Sequence, residues 1–116
     1  MLLLVLDHEP KGEAAPEQGV LGIDLYLVES PKLVQKLKQA ASANDVPEIA
    51  RSAHSLKSCS ANVGATLLSR YCADIEASAR RSDTKEARRL FAKIETEHGR
   101  VQSALNAEVE LLASEA

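Results

Sequence analysis

The sequence predicts an all-α fold, an antiparallel up-down-up-down four-helix bundle with a short additional helix at its N-terminal end. Three observations carry this expectation. The 116 residues are 45% hydrophobic but only 3% aromatic, with no Trp, so the core must be built from Leu, Ile, Val and Ala. Such a core suits close-packed helices better than strands, which draw on aromatic and β-branched residues. All four prolines (Pro10, Pro16, Pro31, Pro47) lie in the first half, and after Pro47 the only glycines are Gly64 and Gly99, which leaves the second half free for long helices. Apolar residues recur at helical spacing, with no alternating strand pattern after Val20. The length suits one domain with one continuous core.

Residues 1–19 read as a linker or N-terminal extension and 20–116 as the bundle. Met1 to Leu6 is apolar, yet it lacks a basic flank and stops at Asp7-His8-Glu9, too short for a signal segment or a membrane span. It is either frayed or packed on the domain. Residues 7 to 19 are polar and rich in breakers, and His8 among them is read as solvated. From Val20 to Val28, Leu21, Leu25 and Val28 keep helical spacing and predict a short helix, weakened by Gly19 and Gly22. Ser30-Pro31 then reads as an N-cap followed by Pro at the first helical position. It opens a helix through Leu33, Val34, Leu37, Ala40 and Ala41 that ends near Asn44.

Asp45-Val46-Pro47-Glu48 is a second start signal, with Asp as N-cap and an acid three residues on. That helix runs to about Asn62. Gly64 makes the next turn, after which Leu67, Leu68, Tyr71, Cys72, Ile75 and Ala79 form a helical stripe, with Arg80 and Arg81 suited to its C-terminal dipole. Asp83-Thr84-Lys85-Glu86 starts the last helix. Its stripe runs from Ala87 through Leu90, Phe91, Ile94, His98, Val101 and Leu105 to Leu112 and tolerates Gly99.

Several function classes are excluded at this stage. The formal charge of −3 argues against nonspecific nucleic-acid binding, which needs an excess of Lys and Arg. Cys59 and Cys72 lack metal spacing and read as free thiols in a reducing compartment that pack as small hydrophobes. No P-loop or Gly-rich phosphate loop is present, and no inward-facing His and carboxylates stand at metal-binding spacing.

The helix from Asp45 to Asn62 holds the informative residue. On a wheel of about 100° per residue, Ile49, Ser52, Ala53, Cys59, Ser60 and Val63 fall within roughly 60° of Leu56 and fill a core stripe. His54 falls about 160° away and faces outward. It shares that face with Pro47, Ala50, Arg51, Ser58 and Ala61, mostly small residues where a solvated face usually carries Glu and Lys. An exposed imidazole ringed by small residues is open to close approach, and Lys57 can neutralise charge delivered there. From Ile49 to Ala73 there are three basic residues (Arg51, Lys57, Arg70) and no acid, so this stretch carries +3 and the remainder −6. Taken alone, this surface is equally a docking site or an Ala- and Ser-rich helix face. His98, on the apolar stripe of the last helix, is read as a packing residue. Asn62 is read as structural.

The run His54-Ser55-Leu56-Lys57-Ser58-Cys59-Ser60-Ala61-Asn62-Val63-Gly64-Ala65 resembles the signature of histidine-containing phosphotransfer (HPt) domains of two-component phosphorelays. Leu25-Tyr26-Leu27-Val28-Glu29-Ser30-Pro31 resembles the family's first bundle helix, and Ala41-Ser42-Ala43-Asn44-Asp45 its next loop. The resemblance implies that His54 takes a phosphoryl group on its outer ring nitrogen and exchanges it with a receiver-domain aspartate, with Lys57 pairing to the phosphoryl oxygens. Ser58 stands where the family most often has Gly and keeps access open. Gly64 allows a tight turn. Glu76 occupies the position, often Gln, whose side chain holds the inner ring nitrogen of the histidine.

The docking surface would comprise Ala50, Arg51, Lys57, Ser58, Ala61 and Gly64, with an apolar contribution from the preceding helices. Partners are then receiver domains, with no nucleic acid and no direct membrane contact, and the isolated domain is expected to be a monomer. No cofactor and no metal are expected on this chain; Mg²⁺ belongs to the receiver. The domain is a phosphoryl carrier without ATP-dependent kinase activity, in the cytoplasm, either free or as the cytoplasmic portion of a membrane-anchored hybrid sensor histidine kinase, whose excision the linker-like start fits. The rival reading is a helical adaptor that binds a signalling partner without phosphotransfer.

Overall fold

Among the described residues the chain turns three times, and each time the same backbone device ends one helix and releases the next. In the computed structural model, which describes the backbone of residues 16–114 and the side chains of residues 22–114, helix α1 spans Pro16–Ser42, α2 Val46–Asn62, α3 Thr66–Arg80 and α4 Thr84–Ser114. The middle residue of each connection is left-handed: Asn44 at φ 54°, Gly64 at 79° and Ser82 at 58°. The following N–H reaches back five residues, Asp45 to the Ala40 carbonyl at 2.9 Å, Ala65 to Ser60 at 2.8 Å and Asp83 to Ser78 at 2.9 Å. The left-handed residue itself bonds back three, to Ala41, Ala61 and Ala79. This is the Schellman arrangement, which satisfies carbonyls that a helix end leaves without partners. The expected starts follow at once: Asp45 caps α2 by accepting from the Glu48 N–H at 3.3 Å, and Asp83 accepts from the Glu86 N–H at 3.0 Å.

Turns this short place consecutive helices side by side and antiparallel. α1 packs on α2 and α4, and α3 on α2 and α4, closing a ring around fully buried Leu37, Ile49, Leu56, Leu68, Ile75 and Ile94. Cys72 is fully buried among them and Cys59 half-buried, both free. Burial pushes the Cys72 thiol up to about 12 and raises that of Cys59 as well, as small packing residues require. The core is not wholly apolar. Tyr26 Oη and Ser60 Oγ meet at 3.0 Å between α1 and α2, and Ser30 Oγ meets His98 Nε2 at 2.8 Å between α1 and α4.

One expectation is corrected. The break at Ser30-Pro31 does not occur: the short additional helix and the first bundle helix are one, α1, with Pro31 inside it. Ser30 is not an N-cap but a fully buried residue bonded to His98. The energetics favour continuity. Proline inside a helix costs about 3 kcal/mol, whereas a turn at residue 30 would displace Ile23 and Tyr26, both buried, at about 1.5–3 kcal/mol each. Pro31 is itself exposed, so its ring meets solvent instead of the core. Residues 16–19, expected in the extension, form the first turn of α1; Met1 to Leu6 and His8 lie outside the described residues.

Candidate functional site

The α2–α3 hairpin positions the site. Because Gly64 has no Cβ, it adopts φ 79° in the turn without penalty. The register is fixed further along, where Ser69 Oγ donates to the Lys57 carbonyl at 3.1 Å. His54, ten positions before Gly64, and Glu76, twelve after it, are thereby brought together across the two helices. His54 projects outward with its side chain 59% exposed, while Glu76 is 7% exposed beneath it.

The Glu76 carboxylate accepts three bonds. His54 Nδ1 lies 3.1 Å and Arg80 Nη2 2.6 Å from Oε2, and Lys57 Nζ lies 2.8 Å from Oε1. Burial works to raise the Glu76 pKa, but hydrogen bonds from Lys57, Arg80 and His54 outweigh it and hold the carboxyl below the usual carboxylate range. An ionised carboxylate only accepts. The proton in the His54–Glu76 bond therefore resides on Nδ1, which leaves the lone pair on Nε2 at the outer edge of the ring, where a nucleophile is needed.

The residues singled out from the sequence fall around this centre unevenly. Lys57 is half-buried beside Glu76; Ser58 and Ala61 are exposed on the His54 face; Ala50 is half-buried; Arg51 is exposed and ion-paired with Glu48. Gly64 is a correction: it is buried in the turn and so shapes the hairpin without offering docking surface. His98 and Cys72 are buried in the bundle, and Cys59 packs half-buried against its core.

Arg80, which the sequence suggests only as helix-dipole compensation, is the third donor on the carboxylate and, with Lys57, its second cation. The signal for it was present, since Glu76 and Arg80 stand at i and i+4, one turn apart on the same helix face. Among the described residues no group of three or more His, Cys, Asp or Glu side chains converges to hold a metal ion, and no helix is long and apolar enough to cross a membrane.

Comparison with known proteins agrees with this geometry. The family model described as Hpt domain matches residues 23–114. Among solved structures, histidine-containing phosphotransfer protein B (HptB) from Pseudomonas aeruginosa PAO1 is 32% identical to this chain, with a TM-score of 0.75, and the alignment covers 78% of this chain and 79% of that one. No curated protein matched.

Proposed function

Since the chain belongs to the Hpt domain family, we propose that His54 is its phosphoryl acceptor and donor, attacking and being attacked through Nε2. Histidine phosphotransfer in phosphorelays is the function of the chain, and domains of this family are phosphoryl carriers that interact with receiver domains. The observation that carries the assignment is the His54–Glu76 pair: an exposed ring whose inner nitrogen is fixed by a buried carboxylate at 3.1 Å.

Transfer begins with a receiver docked over the α2 face. Nε2 attacks the phosphorus of the receiver's aspartyl phosphate in line; the Nε2–P bond forms as the P–O bond to the aspartate breaks, and the aspartate leaves as its carboxylate. Lys57, one turn along α2 from the ring, and Arg80, one turn along α3 from Glu76, supply charge to the phosphoryl oxygens. Ser58 keeps the approach open. The Mg²⁺ that such a transfer uses sits in the receiver's acidic pocket, and this chain contributes no ligand to it. The domain works as a monomer in the cytoplasm.

The test is to incubate the protein with a phosphorylated receiver and Mg²⁺ and to follow an acid-labile, alkali-stable label. The parent gains the label and His54→Gln gains none. Equal labelling of the two proteins overturns the assignment, and a parent that binds receivers but never labels restores the adaptor reading.

A further inference from the structure

The carboxylate beneath His54 raises a question about the phosphorylated ring. When Nε2 carries a phosphoryl group, the ring is either neutral, with a lone pair on Nδ1, or cationic, with the Nδ1 proton retained. Glu76 distinguishes these states because it is acceptor-only. Facing a lone pair at 3.1 Å it repels; facing an N–H it bonds. A side-chain amide in the same place would serve both states, since it carries donor and acceptor atoms.

Building on the assignment of His54 as acceptor, we propose that Glu76 keeps the Nδ1 proton on His54 throughout the transfer cycle, so that the phosphorylated ring persists as the cationic, readily transferring species. The step balances without any proton gained or lost. The Nε2–P bond forms, the bond from phosphorus to the receiver aspartate breaks, the aspartate departs as an anion, and the proton already on Nδ1 stays there; donation back to a receiver retraces the same path.

Charge within the cluster points the same way. Before transfer, Lys57 and Arg80 face one carboxylate, Glu76. A phosphoryl group of about −2 leaves one negative charge in excess if the ring is neutral, and none if the ring keeps its proton. The surrounding charges do not disturb this balance. Arg51, on the same helix, is paired with Glu48. The ion pairs Glu29–Lys32 on α1 and Glu86–Arg89 on α4 are closed within their own helices, and no hydrogen bond or ion pair among the described residues joins them to His54 or Glu76. A cationic ring is the better leaving group, because the departing nitrogen then becomes a neutral imidazole. Glu76 thereby tilts the carrier toward giving up its phosphoryl group.

The protein is phosphorylated with phosphoramidate, and the ¹⁵N resonance of Nδ1 is followed against pH beside that of a phosphohistidine in an unstructured peptide of residues 50–58. In the intact domain the protonated, pyrrole-type signal persists at pH values where the peptide has lost it. In Glu76→Gln, which preserves size and hydrogen bonding but removes the charge, the midpoint moves down by about one pH unit, and at pH values well above both midpoints phosphohistidine loss slows by about tenfold. A pyridine-type Nδ1 in the phosphorylated parent at the peptide's own midpoint overturns the inference whether or not the variant folds. So do superimposable profiles for parent and variant. A parent that takes no phosphoryl group on His54 overturns the assignment beneath it as well, so the two failures are told apart.

Discussion

Burial disfavours the charged form of two ionisable side chains that the core encloses, Glu76 and His98, and hydrogen bonds overcome it only at Glu76. Glu76 loses hydration but gains three donors, and its carboxyl is held below the usual range; His98 bonds the Ser30 hydroxyl, and desolvation lowers its pKa. The consequences for stability fall in different pH windows. Folded His98 binds a proton less readily than the unfolded chain, so the stability it supports is complete above the ordinary value of 6.5 and is lost as pH falls from there toward the lower folded value. The slope in that window is at most about 1.4 kcal/mol per pH unit. Glu76 contributes above its ordinary value of 4.5 and loses its contribution only as pH falls further, through its depressed folded value. Urea midpoints across pH should therefore decline first just below 6.5, and His98→Gln should flatten that decline while leaving the more acidic one. From the sequence, the packing role of His98 was readable because it stands on an apolar stripe. Its partner was not, because Ser30 is 68 positions away and helical spacing says nothing about which faces of two distant helices meet.

Helices and turns were more legible than tertiary partners, since caps and breakers act locally. Asp45 and Asp83 do what their position before a helix requires, and Gly64 takes a left-handed turn that glycine adopts freely. Ser82 occupies the same conformation with no residue type to announce it. Pro31 failed as a guide for the opposite reason: its local preference is real, but buried residues on both sides of it belong to one core. Glycine in α4 offers a direct contrast with glycine in the turn. Gly99 lies inside a continuous helix, exposed, and a Cβ added there meets nothing within 4 Å. Gly99→Ala should raise stability by about 1 kcal/mol, a rise in Tm of about 5 °C, without changing phosphoryl uptake. Gly64→Ala should instead destabilise by about 1–2 kcal/mol, because an L side chain is forced into the left-handed region. Calorimetry on the two variants checks both signs.

Across the whole molecule, the charge pattern changes meaning once the chain is folded. The +3 stretch from Ile49 to Ala73 stops three residues short of Glu76, which the hairpin returns to Lys57, and Arg51 is paired with Glu48. Counting Arg51, Lys57 and Arg80 against Glu48 and Glu76 leaves a single positive charge around His54, so electrostatic attraction is a weaker recruiter of an acidic receiver than the linear sequence implies. We infer that apolar surface supplies the rest. Leu25 and Val28 are 63% and 56% exposed, and the Tyr26–Ser60 bond sets their stretch of α1 against α2, six residues along from His54. Ser58 and Ala61 are exposed on the same helix as His54. Covering one such Leu or Val contributes about 1.5–3 kcal/mol, and a loss of 1.4 kcal/mol is about tenfold in affinity. Leu25→Asp or Val28→Asp should therefore raise the receiver concentration needed for half-maximal transfer by about tenfold, while direct labelling of His54 by phosphoramidate, which needs no docked protein, stays at the parental rate. If both donors slow together, the substitutions have disturbed the ring and not the docking face; if neither slows, receivers approach His54 from the α3 side.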